Sequence, residues 1–128
     1  MKRLTACATL TALALLAAPT AAVAEPTSPF GETWTGRGGV DGDLIWYNRS
    51  VGVSGQVRDY ETAGSTTVQF EFYQSTRLLD VQTRTASNGV TPFGWTEPGP
   101  VGGFTRVVIT LIHGGDENVV ASIPRPVS

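Results

Sequence analysis

The sequence predicts an all-β protein, an antiparallel β-sandwich of about seven strands of the immunoglobulin or fibronectin type. Apolar and polar residues alternate in several short segments, which is the period of a half-buried strand. Clusters of Gly, Pro, Asn, Asp and Ser separate these segments, and no segment after residue 24 has helical spacing. A small β-barrel is the alternative architecture. The Cys…Trp…Cys pattern of true immunoglobulin domains is absent, so the prediction concerns architecture only.

The first 24 residues have the pattern of an export signal. Met1–Arg3 supplies positive charge, Leu4–Ala18 is an apolar stretch of about 15 residues, and small residues lead up to Ala24. This stretch is too short for a membrane anchor, which needs roughly 20 residues. Cys7 precedes nearly all of it, whereas a lipidated cysteine would follow it. We therefore expect a Sec-type signal that is cleaved after Ala24, and a secreted single domain over residues 25–128.

Export would leave a chain without cysteine, methionine or lysine, because Cys7, Met1 and Lys2 are the only residues of these types. This composition excludes disulfides, a cysteine nucleophile and a lysine Schiff base in the exported chain. Residues 25–128 contain seven arginines and eleven acidic residues, so the net charge of the exported chain is −4. A mildly acidic chain argues against nucleic acid and anionic membranes as partners. Arginine without lysine, in a chain rich in Ala and Gly, fits a GC-rich bacterial source.

The longest segment without Gly or Pro, Thr66–Ser87, is predicted to be a β-hairpin. Apolar residues alternate with polar ones on both sides of the polar turn QSTR: Val68, Phe70 and Phe72 before it, Leu79 and Val81 after it. These apolar residues are expected to face the core, and the residues between them are expected to face solvent.

Five further segments are predicted to be strands: Glu32–Gly36 (the weakest pattern), Asp43–Asn48, Ser50–Asp59, Phe104–Ile112 and Asn118–Ile123. Both faces of Phe104–Ile112 are fairly apolar, which indicates a central strand. Turn clusters separate the strands, among them GRGGVDGD and HGGDEN. The tail PRPVS is expected to be a short disordered end.

The segments WYNRSVGVSGQVRDY, GSTTVQFEFYQS and VQTRTA, which follow an export signal, resemble small, uncharacterised exported proteins of actinobacteria with a predicted β-sandwich. The resemblance covers most of the exported chain. It implies a compartment and a fold, and it implies no activity for any residue.

Nucleophilic catalysis would have to use His113, the only histidine, which lies beside Asp116 and Glu117 in LIHGGDEN. No serine has the G-x-S-x-G context of a nucleophile elbow, since Gly55 follows Ser54 one position too early. We therefore interpret His113 as a polar residue that opens a Gly-Gly turn, and we predict no catalytic residue. A small hydrolase that uses His113 is the alternative.

Metal binding is not predicted either. One histidine without cysteine cannot supply a typical zinc site. Oxygen ligands for calcium could come from Asp41 and Asp43, or from Asp116–Asn118, but neither group has the density of a calcium loop. Asp and Asn are common in structural turns, so we expect no metal and no cofactor.

A carboxylate pair for glycoside hydrolysis could only be Glu71 and Asp80, which the predicted hairpin makes cross-strand neighbours. The adjacent Gln82 and Arg84 indicate that this face is solvated. We therefore interpret the pair as surface residues.

Aromatic residues are the best indication of a binding surface, because Trp and Tyr can form platforms for sugar rings or anchor a protein partner. Trp46, in LIWYN, is expected to lie in the core. Ser87–Gly103 is a Gly- and Pro-rich connection, longer than a compact sandwich needs. It is either a functional loop or contains a short strand around Phe93–Thr96. If the protein has a binding surface, we expect Phe93 and Trp95 to form it.

The sequence thus predicts an exported, non-catalytic binding module that recognises an extracellular protein, peptide or polysaccharide through loops or an aromatic patch. A secreted hydrolase and a purely structural surface protein are the alternatives. No nucleic acid, cofactor or membrane is expected as a partner after the signal is cleaved.

Overall fold

The computed structural model describes residues 24–127, and it confirms the all-β prediction. Eight strands form two antiparallel sheets of four strands each, which is a β-sandwich. The strands are β1 (Thr27–Trp34), β2 (Gly38–Trp46), β3 (Val51–Asp59), β4 (Thr66–Gln74), β5 (Arg77–Ala86), β6 (Gly89–Glu97), β7 (Arg106–His113) and β8 (Asp116–Pro124). The predicted export signal lies outside the described residues except for its last residue, Ala24.

The first sheet has the strand order β1-β2-β3-β6, and the second has the order β5-β4-β7-β8. Hairpins join β1 to β2, β2 to β3, β4 to β5 and β7 to β8. The chain therefore crosses between the sheets after β3, β5 and β6. As predicted, β7 is a central strand, with β4 and β8 as its neighbours. Residues 24–127 contain no helix that is long and apolar enough to cross a membrane.

The core lies between the two sheets, and it is formed by alternate residues of the inner strands. The fully buried apolar side chains include Val40, Leu44, Val51, Val53, Val57, Val68, Phe70, Phe72, Val107, Ile109 and Leu111. Phe70 lies at the centre, with its ring edge-to-face against Phe30, Phe93 and Trp95 at centroid distances of 5.9, 5.5 and 5.4 Å. Trp46 is 2% exposed, which confirms its predicted place in the core.

The prediction of a turn over GRGGVDGD was wrong for most of that segment. Strand β2 begins at Gly38, and its glycines lie inside the ladder. Gly42 pairs with Gly55 on β3, and a side chain at Gly42 would come within 2.9 Å of both the Gly55 Cα and the Phe30 ring. These glycines therefore allow close packing within the sandwich, which composition alone does not distinguish from turn glycines.

The predicted inner face of β5 was right at Leu79, which packs against the core, but wrong from Val81 onward. Asp80 pairs with Phe72 but Leu78 pairs with Tyr73, so the extra residue Leu79 forms a β-bulge. A shift of one residue exchanges the two faces of a strand. Val81 consequently faces outward and is 41% exposed.

The Ser87–Gly103 connection contains a strand, as the second of the two predicted alternatives requires, but β6 is longer than the predicted Phe93–Thr96. It pairs along its whole length with β3 and completes the first sheet. This strand is the reason that the sandwich has eight strands rather than about seven.

Candidate functional site

The two residues predicted to bind a partner lie on the inner face of β6. Phe93 is 9% exposed and belongs to the core. Trp95 is partly buried and packs against the core, with its ring centroid 6.0 Å from that of Phe93. The two rings are adjacent, as expected, but they do not form an exposed platform.

Trp95 is held between the two sheets by polar partners. The guanidinium of Arg84, on β5, lies 3.9 Å from the centroid of the Trp95 ring. The indole N–H of Trp95 donates a hydrogen bond of 3.1 Å to Glu97 Oε1. The contact with Arg84 joins the edge strand of one sheet to the edge strand of the other, whereas the bond to Glu97 lies within β6.

A pair of hydrogen-bonded carboxyl groups, Asp80 on β5 and Glu97 on β6, lies next to this tryptophan. Burial, followed by the hydrogen bond to Asp80, raises the pKa of Glu97 to about 7. The same hydrogen bond, together with the Gln82 amide at 3.1 Å, lowers the pKa of Asp80. Below a pH of about 7, Glu97 therefore holds a proton that it donates to the Asp80 carboxylate.

The sequence placed Asp80 beside the wrong carboxylate. Glu71 pairs with Val81 and lies on the opposite face of the sheet from Asp80, which pairs with the inward-facing Phe72. The prediction that Gln82 and Arg84 mark a solvated face was also wrong, because the bulge at Leu79 turns both side chains toward the other sheet. The alternation of Phe93, Trp95 and Glu97 is the signal that could have placed Glu97 on the inner face.

His113 lies at the other end of the sandwich, in a network that joins the two sheets. It directly precedes the predicted Gly-Gly turn, but its side chain points inward and the residue is only 6% exposed. The imidazole Nε2 lies 2.5 Å from Glu61 Oε1, and Nδ1 lies 2.8 Å from Thr66 Oγ1. Thr66 in turn donates a hydrogen bond of 2.7 Å to Asp59 Oδ1.

Asp59 belongs to the first sheet, whereas Thr66 and His113 belong to the second. Burial alone would raise the pKa of Asp59, but the Asn88 amide, the Thr66 hydroxyl and His113 act against it, and the net direction is down. Asp59 is therefore an ionised group that is enclosed by its partners.

The order acid, imidazole and hydroxyl in this network resembles that of a catalytic triad, but the hydroxyl is enclosed. Thr66 is 0% exposed, and its hydroxyl hydrogen is directed at Asp59. A nucleophile has to reach the carbonyl or phosphoryl group of a substrate. The edge of the Trp34 ring covers His113 at a centroid distance of 6.4 Å, and Arg37 lies over that ring. The geometry is that of a buried polar connection between the sheets.

Each of the two acidic segments that could have supplied calcium ligands has one aspartate paired with arginine. Asp41 pairs with Arg58, and Asp116 Oδ2 accepts a hydrogen bond of 2.9 Å from Arg37. Within residues 24–127, no group of three His, Cys, Asp or Glu side chains is placed to hold a metal ion.

An open cleft of about 290 Å³ lies at the opposite end of the sandwich from His113, where β1 begins and where β2 and β8 end. We call it the Tyr47 cleft. Its lining residues are Glu25, Pro26, Trp46, Tyr47, Asn48, Arg125 and Pro126. Tyr47 is 37% exposed, so part of its ring is available for contact.

Arg125 is fixed in this cleft by backbone carbonyls. Its Nε donates to the carbonyl of Phe104 at 2.6 Å, and its Nη1 donates to the carbonyl of Tyr47 at 2.8 Å. The guanidinium lies 5.0 Å from the centroid of the Trp46 ring. Burial lowers the pKa of Arg125. The expectation of a disordered tail was wrong here, since Pro124 ends β8 and Arg125 is anchored.

No family model, curated protein or solved structure matches this chain. The strands define the class of protein: an antiparallel β-sandwich that joins its two sheets by polar clusters and has an aromatic cleft at one end.

Proposed function

We propose that this protein is an exported, non-catalytic binding module that recognises an extracellular polysaccharide, peptide or protein through the Tyr47 cleft. The observation that supports it is the cleft itself, a concave site with an exposed tyrosine, a tryptophan at its base and an arginine in its wall. Small-molecule sites are typically concave and combine aromatic surface with a few fixed polar groups.

The cleft is held in shape by contacts that do not involve a ligand. The Trp46 amide donates a hydrogen bond of 2.9 Å to the Pro26 carbonyl, and the Trp46 indole donates one of 2.9 Å to Ser28 Oγ. The Tyr47 amide bonds to the Ser50 carbonyl at 3.0 Å and closes the turn between β2 and β3. A site that is already ordered loses less conformational entropy on binding, which favours affinity.

Phe93 and Trp95 stay a prediction as binding residues, but their placement offers a ligand little surface. Phe93 is almost enclosed, and one side of Trp95 is covered by Arg84. The exposed ring of Tyr47, beside a cleft, is the better candidate for contact with a ligand.

The absence of catalysis is also part of the proposal. The enclosed hydroxyl of Thr66 and the buried imidazole of His113 support it, because neither lines the Tyr47 cleft. The short contact between His113 and Glu61 is the one feature that favours a hydrolase. A hydrolase would lose turnover of ester or glycoside substrates on His113→Ala, and we expect no turnover to be found in the wild type.

A binding experiment tests the proposal directly. Protein recovered from culture medium is incubated with insoluble cell-wall polysaccharide and with culture-supernatant proteins, and the bound fraction is measured. We expect Tyr47→Ala to reduce recovery by about tenfold, the loss that one aromatic contact typically causes. Tyr60→Ala is the matched control, because Tyr60 is 49% exposed at the other end of the sandwich. Equal recovery of wild type and Tyr47→Ala would contradict the proposal.

A further inference from the structure

Arg125 has more hydrogen-bonding capacity than its neighbours use. Its Nε and one hydrogen of Nη1 are bonded to carbonyls, but Nη2 is buried and has no hydrogen-bond partner among residues 24–127. Nη2 lies against Gly103, where a side-chain Cβ would be only 2.9 Å away. The guanidinium is thus locked in position, and Nη1 has a second hydrogen that its bond to the Tyr47 carbonyl does not use. Arg125 lines the cleft, so this hydrogen is the one considered for a ligand.

Within the described residues, Arg125 also has no carboxylate partner. The ion pairs within residues 24–127 involve Arg37, Arg58 and His113, and none involves Arg125. A desolvated cation without a counter-ion is unfavourable, and it gains most from an anion that binds beside it. The wall of the cleft is therefore suited to a ligand with a negative charge.

The other lining residues indicate which kind of carboxylate fits. Pro26 and Pro126 have no backbone N–H, so these walls cannot form the amide nest that captures a peptide C-terminus. The exposed ring of Tyr47 instead offers a flat face to the C–H surface of a sugar. A volume of about 290 Å³ is at the lower end of small-molecule sites, which suits one sugar ring.

We propose that the Tyr47 cleft binds an acidic sugar residue of a polysaccharide, with the sugar ring against Tyr47 and its carboxylate directed at Arg125. This inference rests on the proposed function and names its ligand class. Glu25 lines the same cleft and is exposed, so its carboxylate opposes the ligand's charge.

The test compares two probes that differ only by the carboxylate, methyl β-D-glucuronide and methyl β-D-glucoside. Binding is measured by NMR titration of the exported protein. We expect the glucuronide to bind about tenfold more tightly, the contribution of a charge-assisted hydrogen bond, and the preference to shrink as salt rises. Tyr47→Ala should weaken both sugars, whereas Tyr60→Ala should weaken neither.

Two charge variants test the role of Arg125. Arg125→Met should abolish the preference for glucuronide, and Arg77→Met, at an exposed arginine, should preserve it. Because Arg125→Met also removes two hydrogen bonds to the backbone, its folding could fail. Glu25→Gln, at an exposed position, is the independent variant, and it should strengthen glucuronide binding about twofold without affecting glucoside.

Equal affinity for the two sugars would overturn the inference. If Tyr47→Ala then abolished the binding of both sugars, the result would still support the proposed function. Binding of neither sugar would overturn the inference as well. A third probe, an acetylated dipeptide with a free or amidated C-terminus, tests whether the cleft binds the carboxylate of a peptide instead of that of a sugar. If only the free dipeptide acid bound, the sugar assignment would be wrong.

Discussion

The pair of carboxyl groups that joins β5 to β6 makes a prediction about stability and pH. The perturbation is Glu97→Gln. A glutamine keeps the shape of a protonated glutamic acid, can donate to Asp80 and can accept from the Trp95 indole. The variant therefore mimics the protonated pair at every pH.

The magnitude follows from the raised pKa of Glu97, about 7 against an ordinary value of 4.5. Between these values the folded protein holds a proton that the unfolded chain releases, so the contribution to stability is complete below pH 4.5 and is lost as the pH rises through about 7. At 1.36 kcal/mol per pH unit, the difference is about 3 kcal/mol at most. The lowered pKa of Asp80 has the opposite sign and acts at lower pH, since its contribution is lost as the pH falls below 3.8.

The assay is urea unfolding, followed by tryptophan fluorescence, at several pH values between 4.5 and 8 and at constant ionic strength. We expect the free energy of unfolding of Glu97→Gln, relative to wild type, to increase by about 2–3 kcal/mol across this window. The charge of Arg84 favours the ionised form of Glu97, but the charge of Asp80 opposes it and has the larger effect.

Glu71→Gln is the matched control, because Glu71 is on the outer face of β4 and has no contact with the pair. The control should follow the wild-type profile. Parallel profiles for wild type and Glu97→Gln would refute the reasoning, and so would an equal effect of Glu71→Gln.

Three other predictions concern folding and export. Thr66→Val should lower the free energy of unfolding by about 1–3 kcal/mol, because it removes the hydroxyl that bonds to both Asp59 and His113. A decrease of less than about 0.5 kcal/mol in urea unfolding would contradict this. Gly42→Ala should lower the free energy of unfolding by several kcal/mol, because the added methyl group would clash with the facing strand. Gly94→Ala is the control, since the nearest atom to its added methyl group is 4.0 Å away, and it should cost about 1 kcal/mol or less. Equal melting temperatures of the two variants would contradict the packing argument. If the proposed export is correct, protein recovered from culture medium should begin after Ala24; intact-mass spectrometry would contradict this if the first 24 residues were retained.

The inner faces of several strands could be predicted from alternation alone. Val51, Val53 and Val57 in β3 are buried as their spacing indicates, and so are Phe70 and Phe72 in β4. In these strands the pattern is regular, and the buried face is apolar or glycine except at Asp59 and Thr66, which lie at one end of the sandwich. Local sequence was sufficient there because burial of apolar area decides which face turns inward.

Alternation failed where the backbone departs from regular pairing. The bulge at Leu79 depends on how β5 meets β4 at the turn, and this contact is not encoded in the period of β5 itself. The strand glycines Gly42 and Gly55 depend on the approach of two backbones from different segments. Sequence also favours no particular partner for Asp80, since Glu97 lies on a strand of the other sheet.

The inward polar residues of β5 have a structural explanation that is separate from function. β5 and β6 are edge strands of opposite sheets, and their unpaired backbone edges could otherwise add strands from another chain. Inward-pointing charges are one way in which β-proteins discourage such pairing. Asp80 and Arg84 fit this role, because each also has a partner on β6.

Polar side chains that have hydrogen-bond partners within the protein are expected to contribute to stability, whereas a polar side chain with unused donors is a candidate for ligand binding. Thr66 and Glu97 have partners within the protein, so their substitution should change stability and leave ligand binding intact. Arg125 Nη2 is the one buried side-chain nitrogen or oxygen of residues 24–127 without a hydrogen-bond partner, and it belongs to a residue of the Tyr47 cleft. A buried donor without a partner costs about 1–3 kcal/mol. Nη2 is buried against Gly103, so a ligand in the cleft would bond to Nη1 of the same guanidinium rather than to Nη2. Tyr47→Ala should therefore weaken binding and leave the free energy of unfolding within about 0.5 kcal/mol of wild type, as is usual for exposed positions. The reverse result, lost stability with intact binding, would identify the cleft as a part of the fold alone.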